Sequence, residues 1–180
     1  MTEKPGKTIH RQEIAQGRVF TYGREEVLLP SGVTTDLDII RHPGAAAVIP
    51  HRDGQFALIR QYRHASGGYL WEIPAGCLEP NEQPLECAHR EVKEEAGVAA
   101  GKMVDMGFAF MVPGYSDEVI HFFLATDLED VPIQHDRDEV ILSTDWFTRP
   151  EIEAMIQNGE LTDGKTLVGL FRAFQTLAQS

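Results

Sequence analysis

Four glutamates in one short stretch are the residues of this chain whose type and spacing could do chemistry. They follow a loop that contains glycine, and they are Glu82, Glu91, Glu94 and Glu95. Carboxylate oxygens are the ligands that Mg²⁺ and Mn²⁺ prefer. Like charges one helical turn apart destabilise a helix unless a cation lies between them. The stretch therefore predicts a site for divalent cations; an amphipathic helix with a charged, solvated face is the alternative.

Residues 85–96 have the periodicity of an amphipathic helix. Pro84 suits its first position, and Gly97 suits the left-handed conformation that ends a helix. At about 100° per residue, an apolar stripe that faces the core is predicted from Leu85, Ala88, Val92 and Ala96. Glu91 and Glu95 lie one turn apart beside this stripe, and Glu94 lies further round the helix. The helix would therefore present its paired carboxylates next to the core.

The rest of the sequence predicts strands and two more helices. Residues 1–15 carry little pattern, 18–29 predict a strand pair with its turn at 22–24, and 34–41 predict another strand. Further strands are predicted at 45–50, 56–63, 69–73, 103–112, 118–127 and 140–147, with helices at 149–158 and 166–177. The predicted fold class is α+β, with a mixed β-sheet covered by helices and a small N-terminal antiparallel sheet.

Composition restricts the function classes. The chain has 180 residues and a formal net charge of −12, which argues against nucleic acid as a partner. No apolar run is long enough for a membrane span, and no signal peptide is visible. The cysteines, Cys77 and Cys87, form no disulfide framework or metal-ligand spacing, so reduced thiols in a cytoplasmic protein are expected.

The segment from Gly76 to Val98 carries a resemblance to a known family. It matches the motif Gly-x5-Glu-x7-Arg-Glu-U-x-Glu-Glu-x-Gly-U, in which U is aliphatic, at all nine fixed positions. This motif is the Nudix box, and the chain resembles the Nudix hydrolases. The resemblance implies the Nudix fold, hydrolysis of a diphosphate bond, and Mg²⁺ as cofactor, with Mn²⁺ as a substitute.

Three flanking segments resemble one branch of that family, the ADP-ribose pyrophosphatases. They are IRQYR at 59–63, EIPAG at 72–76 and PGYSDE at 113–118. The resemblance implies a nucleoside diphosphate sugar as substrate, with ADP-ribose cleaved to AMP and ribose 5-phosphate. GDP-mannose, another sugar nucleotide or a dinucleotide remains the alternative substrate.

The resemblance also implies catalytic roles for individual residues. Metal binding is assigned to the main-chain carbonyl of Ala75 and to the side chains of Glu91, Glu95 and Glu139. Arg90 would hold the carboxylates by charge-assisted hydrogen bonds, and Glu94 would support them. Glu139 is also the chosen carboxylate for activating water, while Asp136 and Asp138 remain alternatives. A solvated acidic turn is the structural alternative for this segment.

Substrate contacts follow from the same resemblance. They are assigned to Arg63, Phe20, Tyr22, Gly114 and Glu118. Arg63 would contact the diphosphate or the ribose, the loop 113–118 would shape the pocket for the terminal ribose, and an N-terminal aromatic ring would stack on adenine. Core packing is the alternative for Phe20. Relatives often carry an arginine shortly before the turn at 42–44, and in that neighbourhood this chain has Asp36 and Asp38, which could instead bind guanine.

The resemblance implies a homodimer. Residues 1–43 would form an N-terminal β subdomain for dimerisation, and 44–180 the Nudix hydrolase domain. A Nudix module without catalytic activity, which binds nucleotides as a sensor, is the rival from another class. Such proteins usually lose carboxylates of the box, and this chain keeps all of them.

Overall fold

The glutamate-rich segment folds as helix α1, Pro84–Ala96, in a computed structural model that describes residues 5–134 and 139–179. Pro84 occupies the first turn, and Gly97 ends the helix in the left-handed conformation with a φ of 66°. The backbone N–H of Gln83 donates to the carboxylate of Glu86 at 3.0 Å, which satisfies one of the amides that a helix start leaves unpaired. The predicted helix and its two ends are confirmed.

The predicted apolar stripe is correct except at its first residue. Ala88 and Val92 are fully buried and Ala96 is nearly so, but Leu85 is 46% exposed. None of the first three helical residues is buried, because the packed part of α1 begins only at Cys87. Leu85 has the helical spacing of the buried stripe, but it lies in the first turn, before the part of the helix that packs in the core.

The N-terminal residues form a three-stranded antiparallel sheet. Its strands are β1 (Lys7–Gln16), β2 (Thr21–Leu28) and β3 (Thr34–Arg41), in the order β1-β2-β3. Two expectations are wrong here, since β1 covers residues expected to lack a pattern, and residues 22–24 lie inside β2 instead of at a turn. The chain reverses earlier, where the N–H of Gly17 donates to the carbonyl of Phe20 at 2.8 Å. Because β1 is exposed along its whole length, it has no buried face and hence no apolar alternation.

The remaining strands form a seven-stranded mixed sheet. Its strands are β4 (Ala45–Arg52), β5 (Gln55–Arg63), β6 (Gly68–Glu72), β7 (Ala75–Cys77), β8 (Val98–Phe110), β9 (Val119–Asp130) and β10 (Ile141–Thr148). The main path is β10-β5-β4-β9-β8, with β6 on β5 and β7 on β4. Strand β4 pairs with β9 in parallel, whereas β4 pairs with β5 and β7, and β5 with β6 and β10, in antiparallel fashion.

Helices cover both faces of the central strand. Ala46 and Val48 of β4 pack in one cluster with Val92 of α1. Ile49 points to the other face, where helix α3 (Gly164–Leu177) brings Gly169 so close that an added Cβ would lie 3.1 Å from the Ile49 side chain. Helix α2, Arg149–Gln157, follows β10. The expected α+β fold, a mixed sheet between helices, is confirmed.

The chain divides into two units. One runs up to Gly44 and includes Phe110–Val119; the other comprises Ala45–Ala109 and the residues from Ile120 onward. Phe110–Val119 groups with the N-terminal residues because the N–H of Ile40 donates to the carbonyl of Tyr115 at 2.8 Å. The predicted boundary after residue 43 is next to the break at Gly44, and the roles given to the two predicted domains stay predictions. In the described ranges, no helix is long and apolar enough to cross a membrane.

Candidate metal and phosphate site

Two glutamates of α1 are buried with their carboxylates facing strand β7. Glu91 is 6% exposed and Glu95 is fully buried. The backbone N–H of Ala75 donates to Oε2 of Glu95 at 2.7 Å. The other oxygen, Oε1 of Glu95, has no hydrogen-bond partner among the described residues. A buried carboxylate oxygen without a partner is costly, so this position calls for a ligand.

The electrostatics of this pair are strained. Burial raises the pKa of Glu91 from its ordinary 4.5 to about 7; Arg90 opposes the rise, and the charges of Glu139 and Glu94 add to it. Burial also raises the pKa of Glu95 well above 4.5, with the charge of Glu91 as the next cause. Raised pKa values on two neighbouring carboxylates indicate that too little positive charge surrounds them to offset their negative charges. A bound cation would supply it.

Arg90 is the main cation within this segment. Its Nε and Nη2 donate to the two carboxylate oxygens of Glu82, each at 3.0 Å. Its Nη1 donates to Glu94 at 3.2 Å and also to Glu91. The hydrogen bonding that Arg90 donates to Glu82 is the largest cause of the raised pKa of Arg90, and it also lowers the pKa of Glu82. Arg90 therefore joins three of the four glutamates and restricts their orientation.

Gly76 makes room for the Glu91 carboxylate. A Cβ built on Gly76 would lie 1.8 Å from Oε1 of Glu91, far inside van der Waals contact. Any other residue type at this position would displace the carboxylate. Glycine is therefore required at this position because it leaves room for the Glu91 carboxylate, and not because of a turn.

The described residues suit a divalent cation. The oxygen without a partner on Glu95, the room at Gly76 and the raised pKa of Glu91 all indicate carboxylates without a counter-charge. Hard oxygen donors of this kind bind Mg²⁺ or Mn²⁺. Within residues 5–134 and 139–179, no three His, Cys, Asp or Glu side chains are gathered closely enough to form a metal cluster by themselves. The buried pair is the core of the site.

The late acidic segment is described only in part. Glu139 is half-buried, and its negative charge contributes to the raised pKa of both Glu91 and Glu95, so it lies near the pair. Asp136 and Asp138, the alternative carboxylates, lie outside the described residues. The choice of Glu139 stays a prediction that its position favours.

Arg63 is held by a buried acid. Its Nε and Nη2 donate to the two oxygens of Glu72 at 2.9 and 2.8 Å, and the Glu72 side chain is only 1% exposed. The Arg63 side chain remains 42% exposed. A planar guanidinium fixed along one edge can offer its free edge to a phosphate. The predicted contact with substrate stays a prediction.

The loop that contains Gly114 belongs to the N-terminal unit, where Arg41 anchors it. Nη1 of Arg41 donates to Asp117 at 2.9 Å, and the backbone N–H of His42 donates to the same carboxylate at 2.9 Å. Glu118, the predicted ribose contact, is half-buried and lies 3.8 Å from Nε2 of His42. Gly114 itself is exposed.

The predicted adenine contacts lie on the N-terminal sheet or next to it. Phe20 is 44% exposed, so the alternative of core packing does not describe it, and Tyr22 is half-buried. Asp38, considered as a guanine contact, accepts a hydrogen bond from Nε of Arg24 at 3.0 Å. Its carboxylate is therefore partly engaged with an arginine of the neighbouring strand.

One cleft of about 750 Å³ covers the outer face of α1. Its lining includes Arg90 and Glu94 and then continues over His89 and Lys93. The buried pair, Glu91 and Glu95, does not line it. The buried pair stays the candidate site, because this cleft lies over the outer face of the helix and does not contain the two buried carboxylates.

Comparison with known proteins identifies the family. Residues 40–167 match the NUDIX domain, which is more than half of the chain. The chain belongs to the Nudix family. Among relatives of this Nudix chain, ADP-ribose pyrophosphatase of Bacillus subtilis (strain 168) is 34% identical over 162 residues, which are 89% of this chain and 88% of the relative. GDP-mannose pyrophosphatase of Yersinia enterocolitica is 37% identical over 139 residues, which are 71% of each chain.

A solved structure shows the same fold. The crystal structure of an ADP compounds hydrolase superposes with a TM-score of 0.85 at 20% identity, over 99% of this chain and 97% of the other. The Nudix fold expected from the box is thereby confirmed. The carboxylates of Glu91 and Glu95 described above belong to the segment that matches the Nudix box.

Sequence reasoning missed three residues that hold predicted site residues in place: Arg41, which binds Asp117 in the loop 113–118, and Glu72 and Lys165, which form one group with Arg63. A signal existed for Glu72, since it is an acid that ends the otherwise apolar run before Ile73 and Pro74. Lys165 contacts Glu72 across 93 positions of sequence, and Arg41 contacts Asp117 across 76. Separations of this size leave no local pattern to detect.

Proposed function

We propose that this Nudix protein is a metal-dependent pyrophosphatase that cleaves ADP-ribose, and related nucleoside diphosphate sugars, to a nucleoside monophosphate and a sugar phosphate. The buried Glu91 and Glu95 pair beside Gly76, with one carboxylate oxygen lacking a partner, is the observation that carries this proposal. The substrate class rests on the similarity to ADP-ribose pyrophosphatase of Bacillus subtilis. A diphosphate is the kind of ligand that such a charged site handles.

The metal site is proposed to comprise Glu91, Glu95, Glu139 and the carbonyl of Ala75, with Mg²⁺ as the natural ion and Mn²⁺ as a substitute. When bound, divalent cations offset the charge of the diphosphate oxygens and lower the pKa of water. The hydrogen bond from the Ala75 N–H orients Glu95, and Arg90 orients Glu91. The carboxylates are thereby positioned before the substrate arrives.

Proton transfer is proposed for Glu139. A general base must lie within hydrogen-bond reach of the water that attacks phosphorus, and its carboxylate must be ionised. Glu139 lies near the buried pair, as its effect on their pKa values indicates. It would take one proton from the water that attacks in line with the leaving phosphate. Arg63 would bind the diphosphate through the guanidinium edge that Glu72 leaves open.

We also propose a cytoplasmic homodimer, with Phe20 or Tyr22 stacking on the adenine of a substrate. Strand β1 is exposed along its whole length, and Ile9 and Ile14 on it are 53% and 49% exposed. A long exposed strand with apolar side chains favours a partner, because unprotected edges of this kind promote association. Nucleic acid is not the proposed partner of a chain with a net charge of −12.

GDP-mannose is the second candidate substrate. GDP-mannose pyrophosphatase of Yersinia enterocolitica is 37% identical over 71% of this chain. Asp36 is an exposed residue of β3, and an aspartate suits the N–H donors of guanine.

The decisive experiment is a substrate panel. Mg²⁺-dependent hydrolysis of ADP-ribose, GDP-mannose, UDP-glucose, NADH and diadenosine polyphosphates would be compared by kcat/KM, with products identified. A preference for ADP-ribose with formation of AMP and ribose 5-phosphate supports the proposal. A preference for another substrate keeps the chemistry and corrects the specificity, and no turnover on any of them by folded, metal-loaded protein overturns it.

A further inference from the structure

The acid that holds Arg63 has a second cation. Nζ of Lys165, at the start of α3, donates to Oε2 of Glu72, the same oxygen that accepts from Nη2 of Arg63. The Lys165 side chain is only 13% exposed, so a largely buried lysine meets a fully buried glutamate. Buried charges persist only when they are paired and hydrogen-bonded. Arg63 and Lys165 both pair with Glu72, but the Arg63 side chain is 42% exposed whereas that of Lys165 is largely buried.

Asp163 completes the group. Nζ of Lys165 donates to Oδ2 of Asp163 at 3.0 Å, and the same oxygen accepts from the backbone N–H of Thr166 at 3.0 Å as the N-cap of α3. Oγ1 of Thr166 in turn accepts from the N–H of Ile73 at 2.9 Å, next to Glu72. The first turn of α3 is thus bonded to the end of β6. Lys165 is held in place from both sides.

The charges of these four side chains sum to zero. Arg63 and Lys165 contribute two positive charges, and Glu72 and Asp163 two negative ones. Without Lys165 the group would carry one net negative charge directly beside Arg63. The field of Asp163 reaches Arg63: burial lowers the pKa of Arg63, and the hydrogen bond and charge of Glu72, followed by the charges of Glu95 and Asp163, raise it overall.

We propose that Lys165 is a positioning residue of the diphosphate site, which balances Glu72 and Asp163 so that Arg63 keeps an effective positive charge toward an anionic ligand. This inference rests on the proposed function insofar as the ligand is a diphosphate. Glu72 orients the guanidinium of Arg63, and Lys165 donates a second hydrogen bond to Oε2 of Glu72. Lys165 itself need not touch the substrate.

Charge balance distinguishes this role from a structural one. Lys165→Met makes the group negative, and it should weaken diphosphate binding about tenfold, whereas Lys165→Arg keeps the charge and should stay within about threefold of the wild type. Adding Asp163→Asn to Lys165→Met returns the net charge to zero, and asparagine still caps a helix. The double variant should therefore recover most of the lost affinity. A lysine that only stabilised the fold would change thermal unfolding without changing the affinity of the folded protein.

The experiment measures binding by calorimetry with Mg²⁺ present, using two probes that cannot be hydrolysed: methylenediphosphonate and the α,β-methylene analogue of ADP-ribose. Lys102→Met, at an exposed lysine of β8, is the matched control and should bind like the wild type. Thermal unfolding is recorded for every variant. If Lys165→Met does not fold, Asp163→Asn alone decides the matter, because the extra net positive charge should tighten binding about threefold.

The possible outcomes separate the two proposals. Unchanged binding by Lys165→Met, failure of Asp163→Asn to rescue it, or weaker binding by Asp163→Asn alone overturns the inference. Binding of neither probe by the wild type overturns it as well, because Arg63 would then serve no diphosphate. If methylenediphosphonate binds and the ADP-ribose analogue does not, the substrate proposal fails, and the role of Lys165 is judged on the first probe.

Discussion

The carboxylate of Glu91 lies where a side chain at Gly76 would be, since a Cβ added to the glycine would be 1.8 Å from Oε1 of the glutamate. This approach joins the loop before α1 to the middle of the helix. It explains why the box begins with glycine, since the carboxylate must face β7 while it remains buried. The room for one carboxylate thus depends on a residue 15 positions earlier in the chain.

Gly76→Ala tests that relationship. The added methyl group should displace the Glu91 carboxylate and lower turnover by about 100-fold or more, because a misplacement of about 1 Å at a catalytic group has that effect. The measurement is kcat with Mg²⁺ near saturation, together with Mg²⁺ affinity. Gly68→Ala is the control, since no atom lies within 4 Å of its added Cβ. Equal activity of the two variants would contradict the steric argument.

Glu95→Gln tests the metal assignment. The amide can still accept from the N–H of Ala75, so the fold should survive, but the negative charge is lost. Turnover should fall about 100-fold or more, because metal-assisted charge stabilisation contributes several kcal/mol. Glu129→Gln, at an exposed glutamate of β9, should leave kcat unchanged. Turnover of Glu95→Gln close to that of the wild type would remove Glu95 from the metal site.

Metal should stabilise the protein more at high pH. The pKa of Glu91 is raised from 4.5 to about 7 without metal, so its contribution to stability is complete below about pH 4.5 and is lost as pH rises through 7. A divalent cation binds the ionised form and removes this loss. The increase in Tm on adding Mg²⁺ should therefore be larger at pH 8 than at pH 5.5. Glu91→Gln should reduce that difference, and an increase that is independent of pH would contradict the assignment.

Glu139→Gln tests the choice of general base. Loss of a general base typically lowers kcat about 10²- to 10⁴-fold, and Glu139→Gln should fall in that range. Asp136→Asn and Asp138→Asn should retain kcat within about threefold, as expected for residues outside the proton transfer. If one of these aspartates instead shows the large loss, the base is that residue.

The protein should be a homodimer in solution. Light scattering should give twice the mass of a single chain, and Ile14→Lys on the exposed strand β1 should shift the population toward monomer. Ile156→Lys, at an exposed position of α2, is the control and should remain dimeric. A stable monomer with full activity on ADP-ribose would contradict the proposed homodimer.

Local sequence alone predicted α1 and its ends. Pro84 and Gly97 specify the start and the stop of that helix through their own backbone restrictions, whatever packs around them. Asp53 and Gly54 likewise follow a local preference, since they adopt positive φ values of 53° and 78° at the hairpin between β4 and β5. Steric preferences over a few residues act before any tertiary contact forms.

Strand β1 could not be predicted in this way. Its ten residues are all exposed and have no buried face, so hydrophobic alternation carries no signal. Hydrogen bonds to β2 define it, in a register from Lys7 with Leu28 to Gln16 with Thr21. The predicted burial of Leu85 was wrong for a related reason, because periodicity indicates which face of a helix is buried but not where along the helix axis the core ends.

The sequence by itself determined the family and the carboxylates of the Nudix box, because a motif of nine positions lies within one loop and one helix. Only the tertiary structure decided how those carboxylates are charged. The raised pKa of Glu91 comes from burial under a sheet, and the Glu72 group joins Arg63 to Lys165 from distant parts of the chain. Burial and long-range ion pairs are properties of the packed fold, so no local pattern in the sequence encodes them.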